Sequence, residues 1–219
     1  MANNIKINNV EELEENLMSD LAWRKKEMLS LKLLIEKDGV NEPILLRAGM
    51  ALLCAHFEGF VKKASNCYIG YVAEQKIAYK DLIESFAAIK MEKEFKKCAK
   101  SDKNSVHSGL IKKYTDLANI RFQEKYDLDN PYVSTHSNPK VEELKEIMNI
   151  LGIDSDIFET KANYIDSSLL ANRHKVVHGE KTDFDKEDFF TTFSIIMQLI
   201  EDYEKLIIKS VEEKKYMRN

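Results

Sequence analysis

The chain has 219 residues, a formal net charge of −4, 44% apolar residues and only seven glycines and three prolines. That length holds one domain with a real core, or a domain with an appended subdomain, and the charge excludes a uniformly basic nucleic-acid coat while leaving room for a local basic patch. A sheet protein needs many tight turns, so the scarcity of glycine and proline favours long helices with few connections.

The N-terminal stretch MANNIKINNVEELEENLM is polar and acidic and lacks the apolar segment of a secretory signal. No apolar run approaches the length of a membrane span. Cys54, Cys67 and Cys98 show no C-x-x-C spacing, and the first two fall in an apolar stretch, as reduced core thiols do. A cytoplasmic protein without membrane association is expected.

The first helix runs from Asn9 to about Lys37, with Leu13, Leu17, Leu21, Met28, Leu31, Leu34 and Ile35 at helical spacing. Trp23-Arg24-Lys25-Lys26 reads as a solvated basic turn on it. Gly39 and Pro43 then break the pattern. The second helix, Ile44 to about Gln75, is apolar on nearly every side, which suits the middle of a bundle. Its polar residues are Arg47, His56, Glu58, Ser65 and Asn66. Arg47 and Glu58 share a face, either as a buried structural pair or with Glu58 lining a site. His56 reads as a satisfied core histidine.

From Tyr79 to Tyr126 two shorter helices are joined by the polar SDKNSV. Between Lys90 and Lys125 ten lysines and arginines stand against five acids, with Lys96, Lys97, Lys112 and Lys113 in adjacent pairs. This is either an electrostatic footprint for an anionic partner such as RNA or a solvated surface. The longest loop, DLDNPYVSTHSNPK, carries Pro131 and Pro139. A short helix follows, with Pro139 near its start and Gly152 at its end. Another runs from about Ile157 to Gly179. The last begins at Asp185 as N-cap, with acids in its first turn, and reaches about Lys214. Residues 1–219 are expected to form a single all-α bundle of six or seven helices, with 79–139 as an insertion or subdomain.

The chemistry concentrates in LLANRHKVVHGEKTDFD, Leu169 to Asp185. His174 and His178 stack four apart on one helix face. Three readings fit. His178 can serve as a cation at a helix C-terminus. The histidine pair can hold a metal, although no third ligand and no H-E-x-x-H glutamate is evident. Or Arg173 can grip a phosphate with its planar fork while a histidine, which titrates near neutrality, moves a proton. The last pairing suits transesterification of RNA, in which the 2′-hydroxyl is the internal nucleophile.

NRHKVVH, Asn172 to His178, resembles the R-x4-H motif of the HEPN superfamily. RAGMALLCAHFEGFVKKASNCYIGYV, Arg47 to Val72, looks like the second helix of its stand-alone bacterial MAE-type branch. The resemblance covers these segments and the helix order, about half the chain, and does not extend to Tyr79–Pro139. It implies an all-α bundle that homodimerises so that two motifs form one composite cleft. It also implies a metal-independent endoribonuclease of a bacterial defence or toxin–antitoxin system, with an RNA substrate, an antitoxin partner and no cofactor. The alternative that it implies is a non-catalytic module binding RNA, nucleotide or a partner protein. Carried over, Arg173 is the phosphate ligand and His178 the general acid or base. Asn172, His174 and Glu58 are in supporting positions.

Overall fold

A computed structural model describes residues 6–37, 39–123, 132–133 and 140–218. Among these residues the regular structure is helical: α1 (Val10–Lys37), α2 (Glu42–Glu74), α3 (Glu84–Cys98), α4 (Asn104–Ala118), α5 (Val141–Leu151), α6 (Asp156–Glu159), α7 (Ala171–Val177) and α8 (Lys186–Glu212). A 3₁₀ turn covers Tyr79–Asp81, and a π-helical stretch, Asn163–Leu170, leads directly into α7. The all-α architecture is as expected. The helix number rises above six or seven because the helix anticipated from Ile157 to Gly179 divides into α6, the π-helical stretch and α7.

α2 is the central helix because no side of it is polar enough to face water. It packs against α1, α7 and α8, and Phe57, Phe60, Val61, Ala64, Tyr68 and Val72 are fully buried. An 18-residue window of α2 is long and apolar enough to cross a membrane, with a mean hydropathy of 1.5, although half of it is buried inside the bundle. That corrects the expectation that no run approaches such a length. α1 supplies Leu13, Leu17, Leu21, Met28 and Ile35 to the core. Leu34, placed on the same stripe from sequence, is instead exposed, because the apolar positions near the end of α1 run past the width of the buried face. α8 buries Phe189, Phe193, Ile196, Ile200, Tyr203 and Ile207. Its start is fixed by a capping box in which Asp185 and Asp188 exchange backbone hydrogen bonds, so two orphan amides are satisfied together.

The polar residues on α2 are structural joints. The Ser65 hydroxyl donates to the Val61 carbonyl at 2.7 Å, so it accepts from the Tyr203 hydroxyl of α8 at 2.6 Å. The Asn66 side chain pairs with both backbone groups of Val133, its amide nitrogen donating at 3.1 Å and its oxygen accepting at 3.2 Å. His56, 3% exposed, has Nε2 2.8 Å from Glu27 and lies edge-on to Trp23. It is a partnered core histidine, as its setting suggests.

Arg24 departs from expectation. It is 8% exposed rather than part of a solvated turn. Its Nε donates to Asp20 at 2.6 Å, Nη1 reaches the His56 carbonyl at 3.4 Å, and the guanidinium lies over Trp23. Gly59 makes the space: a Cβ there would sit 2.8 Å from Arg24 Nη1. A buried cation needs such a cage, and half of this one is contributed by the A-H-F-E-G-F stretch of α2.

α3 and α4 form a hairpin that contacts α5 and the 3₁₀ turn, as two short helices joined by a polar link should. The Gln75–Leu82 connection is held by isolated bridges, Ala78 to Arg121 and Leu82 to Met217. Gly152 ends α5 at φ 70°, the left-handed position anticipated for it. Most of the long loop, including Pro131 and Pro139, lies outside the described residues.

Candidate active site

α7 carries the Arg-x4-His segment and lies against one stripe of α2. Residues at i, i+7 and i+11 share a helix face, and Arg47, Cys54 and Glu58 are so spaced. The two helices run antiparallel, since Arg47 meets the end of α7 while Cys54 and Glu58 lie near Arg173. The charges of Arg173 and Glu58 both act on the Cys54 thiol, in opposite senses, while burial dominates and pushes it up to about 11. Cys54 is thus an inert packing residue at neutral pH, as a core thiol should be.

The α7 C-terminus has a defined stop. His178 occupies the C-cap position and Gly179 follows at φ 72°. The Gly179 amide donates to the Val176 carbonyl at 3.2 Å and the Glu180 amide to the Lys175 carbonyl at 2.8 Å. These two bonds are the Schellman pattern. Arg47 grips the turn from outside, Nη1 donating to the Glu180 carbonyl at 2.5 Å and lying 3.5 Å from Thr182 Oγ1, and Nη2 reaching the Val176 carbonyl at 3.5 Å. The expected Arg47–Glu58 pair is not the arrangement. Eleven helical residues separate them by about 16 Å along the axis, and Arg47 is committed to the turn. Both residues are half-buried rather than buried. The role of Arg47 as the clamp behind the motif was not apparent from sequence. The only signal was an arginine on an otherwise apolar helix.

The structure brings His174 and His178 together, with ring centroids 4.3 Å apart and both side chains exposed. It does not bring Arg173 onto His178 within one chain. Arg173 is half-buried toward α2, whereas His178 is exposed at the helix end. Arg24, Arg47 and Arg218 are all hydrogen-bonded to protein groups. Among the described residues the Arg173 guanidinium has no hydrogen bond or ion pair. Asn172 Nδ2 donates to the Ser168 carbonyl at 2.8 Å. A carbonyl can only accept, so this bond fixes which end of the amide is nitrogen and leaves Oδ1 directed away. No group of three or more His, Cys, Asp or Glu arranged for a metal occurs among the described residues.

Lys96, Lys97, Lys112 and Lys113 are exposed on the α3–α4 hairpin. Lys96 is bonded to Glu92 and Lys113 to Glu94, so half of this basic group is locally neutralised. The hairpin packs on α5 rather than α7, which sets these lysines on a different part of the molecule from Arg173.

An all-α bundle with an Arg-x4-His segment closing a short helix against the central helix defines a HEPN-type domain. The chain belongs to the RiboL-PSP-HEPN family, whose model matches residues 19–209. The match names this family of the superfamily and spans the middle helices that the motif resemblance did not reach. No curated protein and no solved structure matches the chain. Membership carries the coarse function, an RNase-type or RNA-binding module.

Proposed function

We propose that this protein is a metal-independent endoribonuclease of a bacterial defence or toxin–antitoxin system, acting as a homodimer. The observation that carries the reading is Arg173, a half-buried arginine without a hydrogen bond or ion pair among the described residues, whereas Arg24 and Arg47 are bonded to protein groups. A guanidinium without a protein partner is open to an anion, and a phosphate dianion or diester is the ligand its fork matches. Within one chain Arg173 and His178 diverge. A second copy facing the first supplies a histidine to each phosphate.

In this reading one His178 removes the proton of the 2′-hydroxyl. The 2′-oxygen then bonds to phosphorus as the bond to the 5′-oxygen breaks, and the partner's His178 delivers a proton to that leaving oxygen. The products are a 2′,3′-cyclic phosphate and a 5′-hydroxyl. Arg173 stabilises the charge on the crowded phosphorus centre. His174 supports the His178 ring and Asn172 the edge of the cleft. Glu58 balances charge near Arg173, and the α3–α4 lysines extend the RNA contact. An antitoxin protein would hold the activity in check.

The test is incubation of RNA with purified wild-type, Arg173→Ala and His178→Ala proteins in EDTA. Wild type should leave 2′,3′-cyclic phosphate ends, and each variant should cut at least about 100-fold more slowly. Undiminished cleavage by both variants would assign the activity elsewhere. Loss of wild-type cleavage in EDTA would restore the metal reading of His174 and His178. Absence of cleavage throughout would leave the non-catalytic RNA-binding module.

A further inference from the structure

A groove of about 490 Å³ opens beside the Arg-x4-His helix, between the π-helical stretch and the start of α8. Tyr164, Ser168 and Asn172 lie along one wall, and Glu187, Thr191 and Thr192 along the other. Its walls are polar, in contrast to the apolar core beneath. Thr192 is 3% exposed and lines this groove, and among the described residues its hydroxyl has no hydrogen-bond partner. The hydroxyl is reached from the groove rather than sealed in the core, so a group held in the groove can bond it. Asp185, Glu187 and Asp188 make the lining acidic, with no lysine or arginine among its residues. A phosphate is repelled from such a place. A neutral group with hydrogen-bond donors is attracted.

We infer that this groove is a nucleobase pocket and that it selects guanine at the nucleotide beside the cleaved phosphate. The inference rests on the ribonuclease reading for its place in the reaction, but the pocket can be tested without it. The sugar-phosphate backbone stays at Arg173 while the adjoining base turns into the groove, since Asn172 both neighbours Arg173 and lines the wall. Unstacked RNA bases are held by stacking on aromatic rings and by hydrogen bonds to their edges. Tyr164, at the mouth and partly exposed, supplies the ring. The Watson–Crick edge of guanine presents an N1–H and an amino group side by side, the donor pair that a carboxylate accepts best. Glu187 is the carboxylate for it, because Asp185 and Asp188 are occupied with the helix cap. The Thr192 hydroxyl and Asn172 Oδ1 complete the edge contacts. The π-helical turn, a distortion often found at functional sites, sets Tyr164 and Ser168 on this wall.

Two measurements separate the pocket from the nuclease. The first is equilibrium binding of the four ribonucleoside 3′-monophosphates to wild type, Glu187→Gln, Thr192→Val and Tyr164→Ala. Guanosine monophosphate should bind about tenfold more tightly than the others, with that preference lost in Glu187→Gln and Thr192→Val. Tyr164→Ala should weaken all four by about tenfold, because every base has a face to stack. The second is cleavage of deoxyoligonucleotides carrying a single ribonucleotide. Preference for guanosine in binding supports the pocket even if nothing is cut. Equal binding of all four, or a preference untouched by Thr192→Val and Glu187→Gln, overturns it even if RNA is cleaved. Thermal melting of each variant within a few degrees of wild type excludes misfolding as the cause.

Discussion

Arg24, Arg47 and Arg173 are chemically identical, and what each touches separates their roles. Arg24 is enclosed by Asp20, His56 and Trp23, and Arg47 is fastened to a turn. Of the three, Arg173 alone has no hydrogen bond or ion pair among the described residues. The spacing R-x4-H was visible in the sequence, as was the packing role of Cys54 and His56. The burial of Arg24 was not, because its cage is assembled from Asp20 on its own helix and Gly59 on another. That cage makes stability sensitive to acid. Burial, then the neighbouring Arg24 charge, holds the His56 pKa below its ordinary value. The unfolded chain therefore binds a proton near pH 6.5 that the folded chain refuses. The contribution is whole above that pH and is lost as pH falls through the folded pKa. A His56→Gln protein should show a smaller drop in melting temperature between pH 7.5 and pH 5 than wild type does. Gly59→Ala, which sets a Cβ against Arg24, should destabilise by about 1–3 kcal/mol in denaturant titration.

At the level of elements, α7 is only seven residues long, too short to stand alone. Three supports hold it: the side of α2, the Schellman turn at Gly179 and the Arg47 clamp. Arg47→Ala should leave the far-ultraviolet spectrum unchanged and lower kcat for RNA cleavage by about 100-fold, since small displacements of catalytic groups carry penalties of that size. Gly179→Ala meets no atom within 4 Å, so its cost is purely the left-handed backbone, about 1 kcal/mol in thermal or chemical unfolding. Helices with a clear stripe or cap were legible in sequence: α1, α2, α8 with its Asp185 cap, and α5 with its terminal glycine. The division of the 157–179 segment was not legible. Its apolar positions Ile165, Leu169 and Leu170 fit an α-helical pattern too, and the choice between windings is made by packing on α2 and α8.

For the whole molecule, the relevant surface lies at the α7 end. Val177 is 59% exposed beside His178, and Ile44 is 67% exposed one turn before Arg47, which binds the α7 turn. Apolar groups left outside in this way mark an association surface when they cluster. The homodimer proposed above places them between protomers. Light scattering should then report twice the 25.4 kDa chain mass. Val177→Asp should give the single mass together with loss of cleavage, and a fully active monomer would refute a shared cleft.

The π-helical stretch also decides where the chain tolerates a change of length. Its wide turns accommodate more residues than an α-helix would over the same path. Removing one residue, Ser167 for instance, would let the segment relax to regular α-helical winding, so the widened turns absorb the change, whereas removing one from α7 itself would swing the residues after it by about 100°. In the first case Arg173 would keep its bearing on α2, and in the second, with Ala171 removed, it would leave it. Loss of a single codon should therefore be tolerated in the π-helical stretch and should silence the protein when it falls at Ala171.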